Sequence, residues 1–301
     1  MPGATILSAT ASAREVADII RRDGGVVIRG FVTDETINQM DKEIEEYGKS
    51  STLSGLVGKS RTFAHAVLKH RIYYDVGKDI LQDITYPWWG DTRSMCISHP
   101  VLSVSQAVTL GLHTPGQALH REDLEHQFEH KDGTGESSML GLIVAGTDMG
   151  ATSGAPQLVL GSHFWPDDHA PATIEQSSPV PLRKGDALIT AGSVWYGLAP
   201  NNSPNTGRLY TAHLVKGYLR SKENQILATP REIVKTYDPE VQALLTYSVS
   251  QPWCGYVELD DPISMVTEGA ELSQKDLMGI IFEGPGSEKY EGPKPIVPLV
   301  I

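Results

Sequence analysis

Apolar residues recur at helical spacing near the N-terminus and then give way to short, separated apolar runs, a change of period that predicts helices flanking a β-rich core. Ser12-Ala13-Arg14-Glu15 has a capping-box pattern, and Val16, Ile19 and Ile20 follow on one face. A first helix is therefore expected to run to about Arg22, where Gly24-Gly25 stops it. Val26-Val27-Ile28 reads as a short strand, and Asp34 as the cap of a second helix burying Ile37, Met40 and Ile44. From Gly48 to Arg71 periodicity fades among Ser, Gly and Lys residues, so this segment is expected to be a mobile or substrate-facing loop, or a plain surface loop. A helix-like stretch follows from Val76 to Ile84.

Strands are expected at Ser94 to Ile97, Val101 to Leu112, Met139 to Ala145, Gln157 to Leu160, Ala187 to Thr190 and Arg208 to Lys216, separated by Gly, Pro, Asn and Asp clusters. This is the signature of a β-sandwich or barrel. Asn201-Asn202-Ser203-Pro204-Asn205-Thr206-Gly207 is a strong turn signal, which places Tyr196 and Arg208 on neighbouring strands. No linker divides the chain convincingly. A single domain over residues 1–301 is expected, with a helical N-terminal part and substrate-facing loop (1–95), a β core (96–220) and a C-terminal part (221–301). The end of the chain is apolar at Ile296, Val297, Leu299, Val300 and Ile301, so it is expected to dock, on a partner subunit or on the protein's own surface.

Composition narrows the partners. A formal charge of -12 argues against nucleic acid or an anionic membrane, which call for clustered Lys and Arg. Cys96 and Cys254 are too few for a disulfide framework and have no metal-finger spacing, which fits a reduced, cytoplasmic setting. Neither a secretion signal in Met1 to Thr10 nor an apolar run approaching the roughly 18 residues of a membrane span is expected from the pattern.

The candidate chemistry lies at His120-Arg121-Glu122-Asp123. Residues two apart on a strand share a face, so His120 and Glu122 could converge on one metal while Asp123 points away. A His-x-carboxylate pair at a strand exit is what a facial iron site requires. Acidic clusters elsewhere (Glu125, Glu129 and Asp132; Asp167 and Asp168; Asp260 and Asp261) read as solvated loops or turns. Neither a phosphate-binding glycine loop nor a hydrolase nucleophile elbow is found.

With these residues the chain resembles the phytanoyl-CoA dioxygenase-like branch of the Fe(II)/2-oxoglutarate oxygenases, particularly fungal enzymes that tailor meroterpenoids and related alkaloids. The landmarks are Asp23 to Phe31, Gln117 to Arg121, Gly154 to His163, Lys184-Gly185-Asp186-Ala187 and Arg208. The resemblance implies an all-β core with flanking helices, a double-stranded β-helix or jelly roll. It also implies Fe(II) and 2-oxoglutarate as cofactors, His120 as the first iron ligand, Arg208 as the partner of the co-substrate carboxylate and Gln117 as a further co-substrate contact.

Against that pattern Glu122 stands where Asp is usual, Pro156 where a hydroxyl-bearing residue is common, and Tyr196 where the distal histidine is usual. A phenol with a pKa near 10 is a poor Fe(II) ligand at neutral pH. His213 lies five positions beyond Arg208, so alternation turns it to the opposite face and makes it an unlikely stand-in; His126 and His130 lie too far along, and His163 reads as a turn or supporting residue.

Three functions are compatible with this. The first is a silent member that pairs with an active paralogous dioxygenase as a heterodimer, or forms a homodimer, using Gly255 to Val266 and the apolar tail as contacts. The second is an active oxygenase with an atypical ligand set. The third is a metal-free isomerase or cyclase using Tyr196 and His120 as acid and base. Trp88, Trp89, Tyr73, Tyr74 and Phe63 could line an apolar pocket for a polycyclic terpenoid, though aromatics at this density are more often core.

Overall fold

A computed structural model describes residues 3–48, 50–267 and 288–289. The N-terminal part lays down β1 (Thr5–Ser8), α1 (Ala13–Asp23), β2 (Gly25–Arg29) and α2 (Asp34–Ile44). Ser12 caps α1, its hydroxyl accepting from the Glu15 N–H at 3.2 Å, and Gly24 ends the helix at φ 88°. Thr33, not Asp34, caps α2, because its side chain reaches the Thr36 N–H; Asp34 is the first helical residue, where its charge suits the positive end of the helix. Ile37, Met40 and Ile44 are buried as the spacing predicts.

The expected loop over residues 48–71 is instead largely core. After β3 (Thr52–Ser54) the chain makes a 3-10 turn and a π-helical turn over Phe63–Leu68, and Leu56, Val57, Phe63, Ala64, Val67 and Leu68 are fully buried. Their spacing follows neither period 2 nor 3.6, which hides the burial from a periodicity reading. Next come α3 (Arg71–Leu81), β4 (Asp83–Thr85), β5 (Trp88–Trp89), β6 (Thr92–Arg93) and β7 (Cys96–Ser98). The helix thus starts and ends earlier than expected. Tyr73 and Phe63 are fully buried while Trp88 and Trp89 are about half exposed, so these aromatics do not share the lining of one pocket.

The sheet strands proper are β8 (Val101–Leu110), β9 (Met139–Ala145), β10 (Pro156–Leu158), β11 (Ser178–Pro179), β12 (Ala187–Ala191), β13 (Tyr196–Leu198) and β14 (Gly207–Val215). Seven strands form a large sheet in the order β1-β2-β12-β9-β14-β8-β3, and three form a small one in the order β11-β10-β13. This is the two-sheet core of a jelly roll. One apolar cluster joins α1, α2 and α3 to the outer face of the large sheet through Tyr210, Ala212 and Leu214; a second fills the space between the sheets through Ile143, Leu158, Leu188, Leu198 and Leu209. β9 is buried at every position because both of its faces are covered.

Lys184-Gly185-Asp186-Ala187 is a fold-holding corner. The Asp186 carboxylate accepts from the Gly30 N–H (2.9 Å) and the Arg183 N–H (2.7 Å) and pairs with Arg29, tying β2 to the entry of β12. Gly185 adopts φ 82°, and a side chain there would collide with the Val32 carbonyl.

Short helical turns follow β14, and the C-terminal strand β15 (Glu288–Lys289) pairs with β6. The expected docking tail, Ile296 to Ile301, lies outside the described residues. Among the described residues no helix is long and apolar enough to cross a membrane.

Candidate functional site

The strand expected to carry both His120 and Glu122 does not exist as such. His120 forms a single antiparallel bridge with Tyr196, its N–H donating to the Tyr196 carbonyl at 2.9 Å and the Tyr196 N–H returning at 3.0 Å. The chain then turns into a 3-10 helix over Glu122–His126, started by the Glu122 N–H donating to the Gly192 carbonyl at 2.8 Å. The two side chains still converge, His120 Nε2 lying 3.6 Å from Glu122 Oε2. Asp123 does turn away: fully buried, it faces His130 Nε2 at 3.2 Å, and His130 in turn bonds Asp167 through Nδ1 at 2.8 Å.

Tyr196 closes on Glu122. Its hydroxyl donates to Oε2 at 2.6 Å, a short charge-assisted bond between two buried groups. Lys222 reaches the other oxygen, Nζ standing 3.2 Å from Oε1 and 3.6 Å from Glu125 Oε1. This lysine, which the sequence reading missed, sits on the segment after β14. That segment is fastened to β8 by the Lys222 N–H to Ser103 Oγ (3.0 Å), the Glu223 N–H to the Ser103 carbonyl (2.9 Å) and Ser221 Oγ to the Leu102 carbonyl (3.0 Å). In sequence Lys222 stands within a polar run, Arg220-Ser221-Lys222-Glu223, and carries no periodic signal of a long-range contact.

The fourth group is His213, and here the expectation is corrected. Alternation along β14 does turn it away from Arg208, but the face it occupies is the site's: His213 Nε2 lies 3.9 Å from Glu122 Oε2. Room for its ring depends on Gly141 across the strand pair, where a Cβ would fall 2.8 Å from Thr190 Oγ1 and 3.3 Å from His213 Cδ2. Arg208 faces outward instead. Its Nε is 3.7 Å from Asp41 of α2, and it borders a cleft of about 720 Å³ with Asp41, Lys42, Thr109 and Thr147. Tyr196 and Arg208 are not on neighbouring strands: β13 belongs to the small sheet and β14 to the large one. The inward neighbour of Arg208 is Leu209, packed in the apolar cluster between the sheets. Gln117 is exposed, its backbone N–H donating to the Leu198 carbonyl at 2.9 Å.

The electrostatics follow from these contacts. Burial pushes the Glu122 carboxyl up, but the His213 imidazole, the bonds from His120 and Tyr196 and the Lys222 ammonium outweigh it and hold the group well below the ordinary carboxylate range. Burial and the neighbouring Glu122 charge raise the Tyr196 phenol well above its usual value, so it stays a neutral donor. Burial lowers His213, and the neighbouring Glu122 charge opposes that shift. His120 is raised by its contact with Glu122; its Nδ1–H donates to the Ala118 carbonyl at 2.8 Å, leaving Nε2 to face the carboxylate.

The donor set does not fit the iron and 2-oxoglutarate that the family resemblance implies. Both Glu122 oxygens are engaged, one by a phenol that keeps its proton and the other by a cation. Among the described residues no group of three His, Cys, Asp or Glu side chains is placed to hold a metal ion. The arginine expected to hold the co-substrate carboxylate is on the far side of the large sheet.

Two further histidines hold neighbouring segments together. His126 Nδ1 bonds Ser138 Oγ at 2.9 Å, and His163 Nε2–H donates to the Arg21 carbonyl at 3.0 Å beside the C-terminus of α1.

The fold is that of the non-haem oxygenase jelly rolls. Among solved structures, the 2-oxoglutarate-dependent carbocyclase SnoK from nogalamycin biosynthesis aligns with a TM-score of 0.52 at 14% identity, over 72% of this chain and 89% of that one. The epimerase SnoN aligns at 0.53 and 15%, over 70% and 84%. The chain belongs to the phytanoyl-CoA dioxygenase (PhyH) family, which matches residues 20–209. Relatives include the dioxygenase swnH2 of Arthroderma benhamiae, 31% identical over 86% of this chain and 88% of its own length, and the dioxygenase peniF of Penicillium patulum, 27% identical over 84% and 88%.

Proposed function

We propose that this PhyH-family chain is a non-catalytic subunit of fungal secondary metabolism, of the meroterpenoid type, which pairs with an active paralogous dioxygenase and shapes its substrate pocket. The observation that carries the reading is the closure of Glu122 by the Tyr196 hydroxyl and the Lys222 ammonium, which leaves the family's ligand position without an open carboxylate. The outward Arg208 and the apolar packing at Leu209 support it. Tyr256, Leu259 and Met265, exposed apolar side chains in the segment from Gly255 to Val266, are the contacts through which a partner subunit is engaged. The metal-free isomerase reading is less favoured, because Tyr196 is buried and its hydroxyl is committed to Glu122.

Co-expression with a paralogue that keeps an intact ligand triad tests the proposal. The two chains are expected to copurify, and product formation is expected to need both. A purified chain that turns over 2-oxoglutarate alone overturns it, as does a chain that purifies only as a homodimer and leaves the paralogue's activity unchanged.

A further inference from the structure

We propose that Lys222 is the resident cation of the former metal position, and that its ammonium, together with the Tyr196 hydroxyl, excludes a divalent ion there. The inference rests on the non-catalytic reading and adds a residue that the lost histidine does not account for. The two Glu122 oxygens are divided between two elements: Oε2 takes the Tyr196 hydroxyl at 2.6 Å, and Oε1 faces Lys222 Nζ at 3.2 Å. His120 Nε2 and His213 Nε2 lie 3.6 and 3.9 Å from the same Oε2, so both imidazoles face the carboxylate oxygen itself rather than a vacant ligand position. The carboxylate that would offset a metal's charge is offset by lysine instead.

A divalent ion bound to Glu122 would stand close to the ammonium, where like charges repel strongly at partial burial. The backbone that presents Lys222 is held on β8 by both the hydroxyl and the carbonyl of Ser103, so the segment does not lift away freely. Glu125, 3.6 Å from the ammonium, further keeps the side chain at this end of the site.

The consequence is specific. Returning a histidine at position 196 supplies the missing ligand but leaves the cation in place, so Tyr196→His alone is not expected to restore metal binding. Removing the charge as well is.

The test measures anaerobic Co(II) binding, by absorption in the visible range and by metal content after desalting, in wild type, Tyr196→His, Tyr196→His/Lys222→Met and Tyr196→His/Lys222→Arg. Circular dichroism checks the fold of each. Co(II) is expected to bind the Met double variant at least about tenfold more tightly than Tyr196→His, the scale on which groups around a ligand tune metal affinity. The Arg variant, which keeps the charge, is expected to behave like Tyr196→His. If the Met variant does not fold, Lys222→Gln in the same background takes its place. Equal affinity in Tyr196→His and the charge-removed variant overturns the role of Lys222. Stoichiometric Co(II) in wild type, lost in His120→Ala, overturns the exclusion of a divalent ion, whereas turnover of 2-oxoglutarate by the purified chain overturns the non-catalytic reading, so the two failures are separable.

Discussion

Replacing Tyr196 by Phe removes one hydroxyl and nothing else from a site where every other contact can stay in place. The lost bond is 2.6 Å long, buried at both ends and made to an ionised carboxylate. Such bonds are worth about 1.5–3 kcal/mol. Lys222 and His120 still face Glu122 after the change, which argues for the middle of that range, about 2 kcal/mol. For a chain of this length that corresponds to a fall in Tm of roughly 3 °C. Equilibrium urea unfolding of wild type, Tyr196→Phe, Glu122→Leu and the double variant isolates the pair, because coupling shows as non-additivity of about 1–2 kcal/mol for groups in direct contact. Ultraviolet titration adds a second readout: burial holds Tyr73, Tyr196, Tyr210 and Tyr237 above the usual phenol value, so the variant is expected to show one fewer tyrosine resisting ionisation well above pH 10. Tyr196→Phe within about 0.5 kcal/mol of wild type, with additive double-variant energetics, would refute the view that this hydroxyl closes the carboxylate.

Three further outcomes are expected. His130 is raised because Asp123 and Asp167 outweigh its burial, so its contribution is complete below its ordinary pKa of about 6.5 and is lost as pH rises through the higher folded value. Wild type should therefore lose stability relative to His130→Gln as pH rises above about 6.5, and a pH-independent difference in urea midpoints would contradict this. Gly185→Ala is expected to cost about 3 kcal/mol or more, since it combines positive φ with a clash on the Val32 carbonyl, and thermal unfolding would show it. Tyr73→Phe strips a buried hydroxyl from contact with the Leu140 and Ala212 carbonyls, both 3.0 Å away, and a loss of about 1–2 kcal/mol should appear in urea unfolding.

Much of the architecture was legible because the residues that build it act locally. Ser12, Gly24, Ile37 and Met40 mark the first two helices by capping and period, and the continuous apolar run from Met139 to Ala145 marks a strand covered on both faces. Segment 48–71 was misread because Leu56, Val57, Phe63, Val67 and Leu68 are buried by 3-10 and π-helical turns. At the site, alternation correctly separates His213 from Arg208, but which of the two faces inward depends on how the two sheets stack, which no local pattern states. Lys222 was invisible for a related reason: its partner is 100 residues away, and the link is made by loop anchoring to Ser103 rather than by any periodic element.

The turn before β14 turns a small length difference into a change of chemical character. Asn201, fully buried, holds it by donating from Nδ2 to the Leu110 carbonyl at 2.7 Å and the Asn205 carbonyl at 2.9 Å, which fixes how many residues precede Arg208. A one-residue slip of β14 against β8 and β9, carried in by a length change between Asn201 and Gly207, would exchange the two faces of the strand. The guanidinium would then point between the sheets and His213 would leave Glu122. For anyone trying to rebuild an anion-binding interior in this scaffold, an edit to the turn rewrites the whole strand, whereas Leu209→Arg changes one inward side chain but needs a buried anion to pair it within the apolar cluster.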